Sequence, residues 1–195
     1  MVGHLVGVVS GDLAPAEQAA AQDDIAGAVA AVLDDAAIDD LMRGELMALP
    51  GKSYLAEQIL IADPGRIHAA REGLKMALGT ALTDRLVALH QRASALPFSM
   101  DAAAKGARKV KTQALVYLAA ANPELATQMA AAQYDAADNM TDRQGALMVL
   151  TGLDSAERTG RLLDFYNRFA DNPLVVDKWF ALQSSSLHPN LIAHV

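Results

Sequence analysis

The sequence predicts an all-α fold. Three observations carry that reading. The composition is 52% hydrophobic but only 5% aromatic, and alanine and leucine supply most of the apolar share, a mixture that favours packed helices over sheets. Apolar residues recur at three- and four-residue steps along most of the chain. No stretch alternates with period two over a convincing length, Val6 to Ser10 being the one weak strand candidate.

The elements follow in order. Pro15, Ala16 and Glu17 open an alanine-rich helix whose apolar face is Ile25, Val29, Val32 and Leu33. A short helix follows over Ile38 to Met47, and Leu49-Pro50-Gly51 breaks it. Tyr54 to Leu60 reads as another. Asp63-Pro64 is an N-cap followed by proline at the first helical position. Behind it, Leu74, Leu78, Leu82, Leu86 and Leu89 predict one helix over residues 64–93, roughly 45 Å long at 1.5 Å per residue. Gly73 and Gly79 inside it are read as sites of close helix packing. Ala95-Leu96-Pro97 ends it, and Ser99 or Asp101 caps the next, which carries Val110, Ala114, Leu115 and Leu118. Asn122-Pro123 restarts the chain. Asn139 or Thr141 starts the following helix, Thr141 and Gln144 having capping-box spacing. Asp154 with Glu157 opens the helix that holds Leu162, Phe165, Tyr166 and Phe169. Asn172-Pro173 opens the last, with Trp179 and Phe180.

That makes about eight to nine helices with short connections, which favour antiparallel neighbours. A shift of 50 residues superposes Asn122-Pro123 on Asn172-Pro173, Ala131 on Ala181 and Gln133 on Gln183, 4 identities in 12 positions. This spacing lies near that of HEAT and armadillo units, so the expected architecture is a HEAT/armadillo-like helical repeat, an α-solenoid of layers, with an irregular bundle as the alternative. The expected organisation is a single helical domain over residues 1–195, with residues 1–12 a ragged or disordered start.

Charge and cysteine content narrow the function. The 16 basic and 23 acidic residues give a net charge of −7, which disfavours nucleic acid as a partner. The absence of cysteine excludes disulfides, thiolate metal sites and a cysteine nucleophile, and fits a cytoplasmic location. No apolar run approaches the ~20 residues of a membrane span, so no membrane partner is expected.

Searching for chemistry gives mostly exclusions. Among His4, His68, His90, His188 and His194 no pair has the four-residue spacing of a zinc helix. His68 and His90, on one long helix, would stand roughly 33 Å apart. No phosphate-loop, dinucleotide or nucleophile-elbow motif occurs. Ser184, Ser185 and Ser186 before His188 read as a polar linker, and Asp34, Asp35, Asp39 and Asp40 as a solvated helix junction. Lys105, Arg108, Lys109 and Lys111 form the one local cationic excess, read as a solvent face or, in the sharper reading, as a contact for a carboxylate of a peptide or partner domain. Phe165, Tyr166, Phe169, Trp179 and Phe180 are read as core. No catalytic, cofactor-binding or metal-ligating residue is assigned.

Five segments add a resemblance. LPGKSYLAEQ from Leu49 to Gln58, the pair Asp63-Pro64, IHAARE from Ile67 to Glu72, AADNMTDRQGAL from Ala136 to Leu147 and DNPLVVDKWFALQ from Asp171 to Gln183 occur in the order found in bacterial-type aminopeptidase N. From about residue 25 to 195 the chain resembles the C-terminal helical domain of that family. The resemblance implies a parent zinc aminopeptidase that cleaves amino-terminal residues from peptides. Its zinc helix, its amine-binding segment and its catalytic tyrosine lie outside the stretch matched here, so no zinc or other cofactor is expected in this chain and no activity from it alone. It further implies that the domain packs on the catalytic domain of the same polypeptide and restricts peptide access to the active-site chamber, meeting substrates only indirectly. The family continues past the DKWF segment, so the resemblance reads the chain as cut at its C-terminus, with apolar faces prone to self-association. The alternative is a stand-alone helical-repeat module that binds a protein or peptide.

Overall fold

A computed structural model describes residues 1–188, all of its regular structure helical. Eleven helices form among the described residues: α1 (Val2–Ser10), α2 (Pro15–Asp34), α3 (Asp40–Leu46), α4 (Lys52–Glu57), α5 (Pro64–Ala81), α6 (Thr83–Ser94), α7 (Ala102–Ala121), α8 (Pro123–Ala136), α9 (Met140–Thr151), α10 (Ala156–Phe169) and α11 (Pro173–Ser184). The all-α class is as the apolar spacing predicts, with a slightly higher helix count.

Two differences account for the extra helices. The weak strand candidate at Val6 to Ser10 lies in α1, which buries Leu5 and Val9 and closes at Gly11, whose φ of 81° is the left-handed geometry glycine supplies. The single helix expected over 64–93 is two. At Leu82 the backbone leaves helical geometry, and the Thr83 hydroxyl donates to the Gly79 carbonyl at 2.7 Å. The leucine spacing continues across the break because Leu78, Leu82 and Leu86 face the same core, so periodicity alone could not reveal it.

Local capping agrees closely with the sequence reading. Asp63 accepts from Gly65 N and Arg66 N, Asn122 from Leu125 N, and Asn139 from Asp142 N. Of the alternatives, Asp101 rather than Ser99 caps α7, and Asn139 rather than Thr141 caps α9. Ser155, next to the expected Asp154, caps α10.

The helix α7 is the spine. It packs against α3, α5, α6, α8 and α9. One core lies on the side of α1 to α6 and contains Met47, Leu74, Leu78, Leu86, Val110 and Leu118. A second contains Leu115, Tyr134, Leu147, Leu150, Leu162 and Phe165. Burying each such side chain contributes about 1.5–3 kcal/mol. From α7 to α11 every helix touches the next and the next but one, the near-neighbour stacking of a helical repeat. The earlier helices instead converge on α5 and α7.

Close approach has a glycine where the backbones meet. A Cβ on Gly79 would lie 2.3 Å from the Tyr117 carbonyl oxygen, and one on Gly106 would lie 2.6 Å from Leu41 N. Gly73 has nothing within 4 Å, so the packing role expected for both helix-interior glycines belongs to Gly79 alone.

Candidate functional site

A cavity of about 590 Å³ lies between the end of α6, the loop 95–101, the first half of α7, the inner face of α8 and the start of α9. It brings together His90, Arg108, Lys111, Gln133 and Asp142, all between 6 and 9% exposed.

Each arrives by a local rule. His90 lies one turn behind Leu86 on the buried face of α6. Arg108 and Lys111 lie three residues apart on α7, hence on one face. Asn139 caps α9 and turns Asp142 inward, its Nδ2 donating to Asp142 Oδ2 at 2.9 Å. The groups then interlock. His90 Nε2 donates to Gln133 Oε1 at 2.8 Å, and Gln133 Nε2 donates to the Asp142 carbonyl at 2.9 Å. Lys111 Nζ stands 2.8 Å from Asp142 Oδ2. Asp142 Oδ1 is buried without a hydrogen-bond partner. Arg108 donates to the Ser99 carbonyl at 2.8 Å and lies over the Phe98 ring, 5.1 Å from its centroid. Burial holds the His90 imidazole below its usual value; the Gln133 bond and the Asp142 charge oppose this and the Lys111 charge adds to it. His90 is therefore neutral at pH 7 and serves as a hydrogen-bond donor.

The cationic group does not form the solvent face read from its spacing. Arg108 and Lys111 are buried, Lys109 pairs with Glu45 on α3, and Lys105 is exposed. The acidic group is likewise only partly solvated. Asp39 caps α3 and Asp34 pairs with Arg85, but Asp40 is half-buried between Arg43 and Arg92. Burial works to raise the Asp40 value, and the two arginines outweigh it and hold the carboxyl below the usual range. Arg43, which the sequence reading passed over, also donates to the Val32 and Asp35 carbonyls and so ties α2 to α3.

Of the aromatic group, Phe165 is fully buried and Trp179 donates to the Leu162 carbonyl at 2.8 Å, whereas Tyr166 and Phe180 are 40 and 47% exposed. His4, His90 and His188 are buried and His68 is partly exposed; His194 lies outside the described residues. Ser184 ends α11, with Ser185 and Ser186 in the turn beyond it. Among the described residues, no group of three or more His, Cys, Asp or Glu side chains gathers in a way that could hold a metal ion, and no helix is long and apolar enough to cross a membrane.

Gln133 and Asp142 had usable signals. Gln133 is one of the four identities of the 50-residue shift, and its counterpart Gln183 is also buried. Asp142 follows the Asn139 cap by one turn.

The near-neighbour stacking of α7 to α11 is that of a helical-repeat domain. The chain belongs to the family described as "Domain of unknown function (DUF3458_C) ARM repeats", which it matches over residues 1–195. It is 31% identical over 171 residues to Aminopeptidase N of Escherichia coli (strain K12), covering 88% of this chain and 20% of that protein. It is 34% identical over 166 residues to Aminopeptidase N of Caulobacter vibrioides (strain ATCC 19089 / CIP 103742 / CB 15), covering 85% of this chain and 19% of that one. The chain thus spans about a fifth of the length of these relatives. A solved structure, Legionella pneumophila aminopeptidase A in complex with aspartic acid, has the same fold over 97% of this chain and 23% of that one, with a TM-score of 0.75 and 22% identity.

Four of the segments that carried the resemblance build corners of this fold. Arg71 donates to the Pro50 carbonyl at 2.5 Å, joining IHAARE to LPGK. The NMTDR segment forms the α8–α9 corner and one wall of the cavity. Trp179 of DKWF fixes α11 on α10.

Proposed function

We propose that this chain is the non-catalytic helical domain of a zinc aminopeptidase that removes amino-terminal residues from peptides, and that it packs on the catalytic domain of the same polypeptide and restricts peptide access to the active-site chamber. The observation that carries the reading is the similarity itself. It covers 88 and 85% of the chain, and the segments that carry the resemblance form helix caps and corners. On this reading the zinc belongs to the catalytic domain and no chemical step runs through this chain; the His, Cys, Asp and Glu side chains among the described positions do not gather into a zinc site. A docking role has further support in large apolar side chains left in solvent: Leu60 and Ile61 between α4 and α5, Leu163 on α10 and Leu174 on α11 are 100, 83, 60 and 75% exposed. The reading carries a cytoplasmic location.

The test has two arms. An antibody to the domain should detect a native polypeptide far larger than 20.5 kDa. The 195-residue chain should contain no stoichiometric zinc and hydrolyse no aminoacyl anilide. Zinc-dependent hydrolysis by the chain, above a metal-stripped control, would overturn the proposal.

A second reading, a stand-alone peptide-binding module, is favoured by one feature, the cavity with two buried cations. A native band near 20.5 kDa would select it.

A further inference from the structure

The Arg108 guanidinium lies in the cavity wall with no direct ion pair, Asp101 at the α7 cap acting on it only through space. It is 9% exposed and makes one hydrogen bond, to a neutral carbonyl. Among the described residues no carboxylate lies within ion-pair distance of it. The charges around it are otherwise balanced or solvated. Lys111 is paired with Asp142. Asp138 on the cavity rim and Asp101 at the α7 cap are exposed to water, which screens them. The chain is acidic overall, so this local excess is not a by-product of composition.

The guanidinium also occupies a particular place. Stacked on Phe98, it separates the 590 Å³ cavity from a second one of about 680 Å³ bordered by Lys105, Lys109, Thr112 and Met148, and it lines both. The planar fork matches a carboxylate in bidentate geometry. Phe98, Leu96 and Ala104 beside it provide apolar surface, and a cavity of this size suits a small ligand or the end of a chain.

We propose that this cavity is a binding site for the carboxy-terminal carboxylate of a short peptide, with Arg108 as its anchor and the Phe98 loop as the wall for the last side chain. The carboxylate follows from the unpaired Arg108, whichever of the two readings above holds. The choice of a peptide as its bearer rests on the aminopeptidase reading. A peptide held here by its tail is held by this domain itself, which goes beyond limiting access.

The test uses the 195-residue chain and the tetrapeptide Ala-Ala-Ala-Leu, as the free acid and as the carboxy-terminal amide, followed by amide chemical shifts. The two probes differ only at the end that Arg108 would meet, and the comparison needs no variant. The acid should bind at least about tenfold tighter than the amide. Arg108→Gln should remove the preference while retaining a cooperative thermal transition, and Lys105→Gln, an exposed cation on the same helix, should leave it intact. Equal binding of acid and amide, no binding of either, or equal loss in both variants would overturn the site. None of these outcomes touches the aminopeptidase reading, which the zinc and hydrolysis measurements decide separately.

Discussion

At Gly79 the difference between one hydrogen atom and a methyl group decides whether two helices can touch. The α5 and α7 backbones meet there, and a Cβ would lie 2.3 Å from a carbonyl oxygen that the α7 ladder holds in place. Gly73, six residues earlier on the same helix, faces open space. The sequence presents the two identically, as glycines inside a strong helical pattern. Gly79→Ala should destabilise the chain by about 1–3 kcal/mol, because α7 must move or strain. Gly73→Ala should stabilise it by about 0.5–1 kcal/mol through helix propensity. Urea unfolding midpoints measure both, and a neutral Gly79→Ala would contradict the packing described here. The buried polar residues follow the same logic. Lys111 and Asp142 neutralise each other, and removing either would leave a buried charge.

At the scale of the element, the chain carries its own punctuation. Asp63, Asp101, Asn122 and Asn139 each accept a backbone N–H at a helix start. These caps are short-range contacts, which is why they are legible without a structure. The same motif is not equally used everywhere. Asn122-Pro123 and Asn172-Pro173 look alike, yet the Asn172 side chain makes no cap hydrogen bond and is exposed. Asn139 does more than cap, since its amide also holds the Asp142 carboxylate. Asn139→Ala should therefore cost about 1–2 kcal/mol or more, and Asn172→Ala less than about 0.5 kcal/mol. Thermal melts of the two variants side by side separate them, and equal losses would refute the assignment. Where element-scale reading fails, the cause is longer range. The break at Leu82 is hidden because both flanking helices send leucines into one core.

For the whole molecule, the buried histidines tie stability to pH. His90 and His4 are held below the usual histidine value of 6.5, each chiefly by burial. The unfolded chain then binds more protons than the folded one once the pH falls below 6.5. Stability is unaffected by these groups above that value, declines below it, and levels off once the lower folded values are passed. Asp40, Asp101 and Asp164 act in a separate and more acidic window, below 3.8, because their folded values are depressed from there. The melting temperature should accordingly fall between about pH 7 and about pH 5, and His90→Asn should reduce that slope while His4 keeps part of it. An unchanged slope in the variant would show that His90 is not buried neutral.

The amino-acid sequence alone determined the helical class, the helix starts that carry a side-chain cap or a proline, and the family resemblance. Periodicity, caps and rare words are written within a few turns of chain, where spacing in sequence is spacing in space. It did not determine which charged residues are exposed. Lys105, Arg108, Lys109 and Lys111 look like one cationic face, and the structure sends them to solvent, to a two-sided cavity wall, to Glu45 and to Asp142. That sorting depends on α3, α6, α8 and α9 closing around α7. Burial is a property of neighbours brought from far along the chain, so only the tertiary structure could turn a run of basic residues into one unpaired arginine beside two cavities.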